Sequence, residues 1–119
     1  MLNNKETGQK GEEIAAKYLQ ERNFIILERN WKIDFGEIDI VAQKDKRTYC
    51  VEVKTQYASQ KTRPEDELTR DKISKLKCLA DLYAKFHADV PPRLTIAAVC
   101  VTLVDRENWH IKFYEYLLE

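Results

Sequence analysis

The 119-residue sequence contains no apolar run approaching the roughly 18–20 residues needed to span a bilayer. Its first residues, MLNNKETGQKGEE, lack the apolar core of a secretory signal. A cytoplasmic protein is therefore expected. Cysteine is scarce: Cys50, Cys78 and Cys100 are odd in number, far apart and set among apolar neighbours. That pattern suits reduced core thiols, and with no CxxC pair it argues against a zinc site. The two histidines, His87 and His110, are isolated, whereas metal sites need clustered ligands. There is no excess of charge of either sign, since 20 Lys and Arg balance 20 Asp and Glu. Nonspecific nucleic-acid binders carry a basic surplus. A nucleic-acid role here would need a local basic patch, a dimer surface or a metal to offset the acids.

What remains is ordinary for a soluble globular chain: 44% hydrophobic and 34% charged residues, without repeats or low-complexity segments. One domain over residues 1–119 is the expectation. Thr7 to about Arg22 reads as a helix capped by Thr7, with Ile14, Ala15, Tyr18 and Leu19 in one stripe. Strands are expected from Phe24 through Leu27 toward Trp31, from Phe35 to Gln43, and from Thr48 to Thr55, the last two joined at KDKR. Gln56 to Glu67 is polar and contains Pro64, which suggests a loop; a second helix follows over Glu67–Phe86. Leu94 to Val104 is apolar on both faces, as a covered central strand would be. A last strand places Trp109, Ile111 and Phe113 opposite His110, Lys112 and Tyr114. The order α-β-β-β-α-β-β predicts an α/β domain with a mixed sheet flanked by helices.

The informative stretch is GEIDIVAQKDKRTYCVEVKT, Gly36 to Thr55, where charges interrupt two aliphatic strands. Alternation puts Glu52 and Lys54 on one face, and Glu37 and Asp39 together with Ile38 and Ile40 opposite. A turn centred between Asp45 and Lys46 sets opposite any residues whose numbers sum to 91. Asp39 then faces Glu52, and Glu37 faces Lys54. Two carboxylates at about 4.5–5.5 Å between Cβ atoms repel and raise one pKa. A hard divalent cation such as magnesium, held by carboxylates, water and substrate phosphate, relieves that repulsion. In the first helix Glu12 shares a face with Ala15, Ala16 and Leu19 and so points toward the sheet, while Glu13 aligns with Lys17 and Gln20. Gly11 beside it leaves room for close approach. VEVK alone suits an exposed edge strand equally; the joint pattern carries the reading.

GxxGE at Gly8–Glu12, GEID at Gly36–Asp39, VEVKT at Val51–Thr55 and the lysine-led second helix at Lys72 resemble the YraN-like family. Those bacterial proteins are in turn similar to PD-(D/E)XK nucleases and archaeal Holliday junction resolvases. The resemblance implies a restriction-endonuclease-like core and magnesium- or manganese-dependent hydrolysis of DNA phosphodiester bonds, at branched or damaged DNA. It implies metal ligation by Asp39, Glu52 and the Val53 main-chain carbonyl, joined by Glu12, and catalysis by Glu12, Asp39, Glu52 and Lys54. Lys72 takes the position of a phosphate contact. Ile38 stands where the superfamily has proline, and Gln56 where family members have arginine.

Lys61, Arg63, Arg70, Lys72, Lys75 and Lys77 form a basic stretch diluted by Glu65, Asp66, Glu67 and Asp71. This stretch, with Lys61, Arg63, Lys72 and Lys75 as nucleic-acid contacts, also suits an alternative: a module that binds nucleic acid or a repair partner without cutting it. A third reading makes the acids and Lys54 a structural ion cluster, though buried charge clusters rarely serve stability alone. The partner expected is DNA, and a homodimer follows by likeness to the resolvases, with Trp109, Phe113 and Tyr114 as interface candidates.

Overall fold

A computed structural model describes residues 2–116. The elements are α1 (Asn4–Glu21), β1 (Ile25–Ile33), β2 (Gly36–Lys44), β3 (Arg47–Tyr57), a 3-10 turn (Pro64–Glu67), α2 (Arg70–Phe86), β4 (Arg93–Leu103) and β5 (Trp109–Tyr116). The α-β-β-β-α-β-β order is therefore as the sequence predicts.

Helix α1 starts earlier than expected. Asn3 caps it in a reciprocal capping box with Glu6, and Thr7 lies buried inside the first turns. A glutamate three residues after a side-chain acceptor satisfies two free backbone donors, which outcompetes the later threonine. Helix α2 is capped by the Thr69 side chain, and the segment before it forms a 3-10 turn rather than its first helical turn.

The five strands lie in the spatial order β1-β2-β3-β4-β5. All neighbours are antiparallel except β3 and β4, which run parallel from Arg47↔Arg93 to Tyr57↔Leu103. Parallel neighbours need a crossover, and α2 lies between these two in sequence. The β2–β3 hairpin closes at Lys44↔Arg47, so the loop is Asp45–Lys46 and paired numbers sum to 91 as expected. Both loop residues have positive φ (51° and 63°), the twist a two-residue hairpin favours.

Alternation along β3 and β4 separates two cores. Tyr49, Val51, Val53, Ala97, Val99 and Val101 pack with Ile14, Ala15 and Leu19 of α1. Cys50 and Ile96 pack with Leu76, Leu79 and Tyr83 of α2 on the other face. Strand β4 is buried from Thr95 to Val101, as expected of a covered centre strand. Cys50 and Cys100 are core thiols, and burial pushes each up to about 12. Cys78 departs from expectation and lies on the exposed side of α2. Phe113 packs against the α1-side core and Tyr114 hydrogen-bonds Glu65 at 2.8 Å, so both have partners within the chain. Among the described residues no helix is long and apolar enough to cross a membrane.

Close approach of α1 to β3 depends on Gly11. A Cβ there would stand 1.7 Å from Thr55 Oγ1 and 2.7 Å from Thr55 Cβ, whereas one at Gly8 would meet nothing within 4 Å. Gly11→Ala is expected to lower stability by ~1–3 kcal/mol through overpacking, despite its gain in helix propensity. Gly8→Ala should raise stability by ~0.5–1 kcal/mol. Urea unfolding of both variants checks this; equal effects would show that the contact does not constrain the helix.

Candidate metal centre and active site

The site lies where two strands part. Strand β2 pairs with β3 only from Lys44↔Arg47 to Ile40↔Val51. Beyond that point β2 continues along β1 to Gly36, while β3 continues along β4 to Tyr57. Asp39 is the first residue past the fork. Its Oδ2 accepts the Val53 N–H at 2.8 Å, supplying the acceptor that a continuing strand would have offered.

Here the expected alternation fails. Ile38 packs with the α2-side core and Ile40 with the α1-side core, although they are two residues apart. Opposite Asp39, between Arg29↔Ile40 and Trp31↔Ile38, sits Asn30 with φ 54°. One left-handed residue, which asparagine tolerates better than most, breaks the alternation of β1 at the point where its partner β2 also changes faces. Asp39 therefore lies at the seam between the faces. Glu12 reaches it from α1, and Glu52 reaches it from the face that carries α2; both carboxylates act on its proton.

Glu37 also differs from expectation. Because the strands have diverged it does not pair with Lys54; it lies 3.7 Å from Lys32 and joins Glu12 and Asp39. Each of these three offers a carboxylate oxygen, all within 4.8 Å of one another. Burial, then the charge of Glu52, then that of Glu12 push Asp39 up to about 8 against the opposing pull of the Val53 amide. Burial also raises Glu12, with Glu37 adding and the Asn30 side chain and Arg29 opposing. The donors are carboxylate oxygens, with neither thiolate nor imidazole in the group. That chemistry fits a hard divalent cation of the magnesium or manganese kind, whose charge would offset the repulsion.

Lys54 shares the face of Glu52, with Nζ 3.4 Å from Glu52 Oε1 and both side chains mostly buried. Burial acts to depress Lys54, but contact with Lys72 and the charges of Glu52 and Glu67 outweigh it and hold it above the ordinary lysine value. Lys72, from the first turn of α2, is lowered by that contact with Lys54 and then by burial. The charges of Glu52 and Glu67 thus favour the protonated form of Lys54. Glu12, Asp39, Glu52, Val53 and Lys54 line a cleft of about 590 Å³ that also includes Thr7, Gly8 and Gln56. Gln56 is in β3 rather than a loop. Its side chain donates to Glu67 and accepts from Thr62, so it fastens the following segment.

Four sequence candidates, Lys61, Arg63, Lys72 and Lys75, lie outside the lining of this cleft. Lys61 is exposed on the loop, and Arg63 pairs with Asp66 at 3.5 Å. Lys75 is displaced toward the β1–β2 turn, where its chain crosses Gly36. His87 stacks on Tyr83 near Glu28, and His110 is exposed. Besides Glu37, sequence reasoning missed Arg29, which bonds Glu13 at 2.9 Å and draws Glu12 down. Glu37 was signalled by its place in GEID, but extending the hairpin register past Ile40 assigned it to Lys54.

The family model for "Uncharacterised protein family UPF0102" matches residues 11–101. A "UPF0102 protein" of Dictyoglomus thermophilum is 43% identical over 117 residues, covering 98% of each chain. One from Syntrophomonas wolfei is 39% identical over 105 residues, covering 88% of this chain and 91% of its own. A third, from Bacteroides thetaiotaomicron, is 39% identical over 100 residues and 83% of each chain.

Asp39 titrates near 8 when folded and near 3.8 in its ordinary state. The folded chain thus holds an extra proton between those values, and stability falls as pH rises from about 4 to about 8. Asp39→Asn keeps an acceptor for the Val53 amide and removes the charge. In EDTA it is expected to raise Tm at pH 8 by ~4 °C or more, with little change at pH 4. Added magnesium should raise the wild-type Tm at pH 8 and leave the variant unmoved. Identical melting of both proteins at both pH values would overturn this electrostatic account.

Proposed function

The chain belongs to the uncharacterised protein family UPF0102, and we propose that it is a metal-dependent nuclease that hydrolyses DNA phosphodiester bonds. The observation that carries this reading is the convergence of Glu12, Glu37, Asp39 and Glu52 with Lys54 at the β2–β3 fork. A purely structural ion cluster explains the arrangement poorly, because Asp39 is held where its charge opposes folding.

Asp39, Glu52 and the Val53 carbonyl, with Glu12 or Glu37, would hold magnesium or manganese. When bound, the cation supplies positive charge to phosphate oxygens and lowers the pKa of a water molecule. Lys54 stays protonated, so it orients water and opposes the negative charge that builds on the phosphorane oxygens. A carboxylate of Glu12 or Glu37 accepts the proton lost by that water. Water adds to phosphorus, the bond to the 3′ oxygen breaks, and that oxygen takes up a proton. The products are 5′-phosphate and 3′-hydroxyl ends. Lys72, beside Lys54, contacts the phosphate.

One observation favours a second reading, a module that binds nucleic acid or a repair partner without cutting: the chain is neutral overall. Purified protein with magnesium or manganese is expected to cut at least one of supercoiled, single-stranded or four-way-junction DNA. Asp39→Asn, Glu52→Gln and Lys54→Met should each slow cutting by ~100-fold or more. No cutting by wild type, or equal cutting by Asp39→Asn, rejects the nuclease reading. Metal-independent DNA binding that survives Glu52→Gln supports the second.

A further inference from the structure

The β1–β2 connection is a two-residue turn, Asp34–Phe35, closed by Ile33↔Gly36. Such turns favour glycine, asparagine, aspartate, proline or serine, for reasons of backbone conformation and local hydrogen bonding. Asp34 fits; Phe35 does not. Burial does not account for the phenylalanine either, because it is 50% exposed. The ring is nonetheless held. Lys75 of α2 lays its chain across Gly36, where a Cβ would stand 3.0 Å from Lys75 Cε. Its ammonium lies 5.6 Å from the centre of the Phe35 ring.

The position relative to the acids is informative. Glu37 follows Gly36 directly, so the Cα atoms of Phe35 and Glu37 are at most ~7 Å apart. Lys75 lies three residues after Lys72, on the same side of α2. Lys72 in turn touches Lys54, which lines the cleft. Lys54, Lys72, Lys75 and Phe35 therefore form a continuous track, with cations leading out of the acidic cleft and a half-exposed aromatic ring at its end.

Cations that follow a backbone, together with an aromatic face that accepts a base, are the components of a single-strand binding site. A paired base inside a duplex cannot present its face to such a ring. We propose that Phe35, steadied by Lys75, stacks on an unpaired base next to the phosphate in the cleft. The preferred ligand is then a single strand, or the unpaired segment of a fork or flap. The proposal rests on reading the cleft as a nucleic-acid site.

The test is fluorescence anisotropy in calcium buffer, using a labelled single-stranded oligonucleotide and its blunt duplex. Wild type should bind the single strand more tightly. Phe35→Ala should weaken that binding about tenfold or more and leave the duplex affinity unchanged. Phe35→Trp should retain it. Lys75→Gln should weaken both ligands and flatten the dependence of log affinity on log salt by ~0.7–0.9. All variants should melt within a few degrees of wild type.

Single-strand binding unchanged in Phe35→Ala, or a wild-type preference for duplex, overturns the stacking site. The two proposals fail separately. Wild type that cuts DNA while Phe35→Ala behaves like it removes the stacking site and leaves the nuclease. Phe35-dependent binding without cutting in magnesium leaves the stacking site and removes the nuclease. Wild type that binds neither ligand and cuts nothing removes both.

Discussion

The hydrogen bond from the Val53 amide to the Asp39 carboxylate organises the centre of this molecule. It occupies the point where β2 leaves β3, and it gives a main-chain donor an acceptor after the neighbouring strand has turned away. Without it, opening the sheet would leave a backbone amide without a partner, a cost of roughly 1–3 kcal/mol if the group stays dry. The carboxylate thus has two roles. It closes the ladder where the strands part, and it puts negative charge where Glu12 and Glu52 can reach it from two sides.

Much of this was legible in the chain. The strand register followed from counting outward from the middle of KDKR, and the ladder obeys that count from Lys44 to Ile40. The inward face of Glu12 followed from its spacing to Ala15, Ala16 and Leu19, and the contrast with solvent-exposed Glu13 holds. What could not be read was the break in alternation at Asn30 and Asp39, because strand parity assumes extended backbone at every position. A left-handed asparagine in a strand has no unambiguous signature. The parting of β2 from β3 beyond Ile40 was equally hidden, and extending the register past it misplaced Glu37 opposite Lys54. That Lys61 and Arg63 fall outside the lining of the cleft could not be read either, because a polar loop leaves no sequence record of which way it folds back.

The electrostatics of the site oppose those of the core around it. Val51 and Val53 bury fully or nearly so, and their neighbours Glu52 and Lys54 are taken partly out of water by the same strand. Lys54 offsets Glu52 and Lys72 presses on Lys54, while Asp39 has no basic partner among the described residues and keeps its proton well above the usual range. Excess negative charge held by rigid strands is costly for folding and well suited to a doubly charged ion. Rigidity comes from the tight seat of α1 on β3 at Gly11 and Thr55, one residue away from Glu12 and from Lys54 respectively.

The parallel pairing of β3 with β4 has a bearing on how the chain matures. Every carboxylate of the acidic group, and Lys54 with them, lies between residues 12 and 54, so these residues leave the ribosome together. Their sheet then still lacks β4 and β5: β4 begins at Arg93, across a 35-residue connection that includes α2. Until it arrives, β3 presents an open hydrogen-bonding edge flanked by valines, the kind of surface that recruits other strands. Docking of β4 is a long-range step and correspondingly slow. During biosynthesis, then, the acidic half of the molecule is assembled early on a scaffold whose most aggregation-prone border stays open longest.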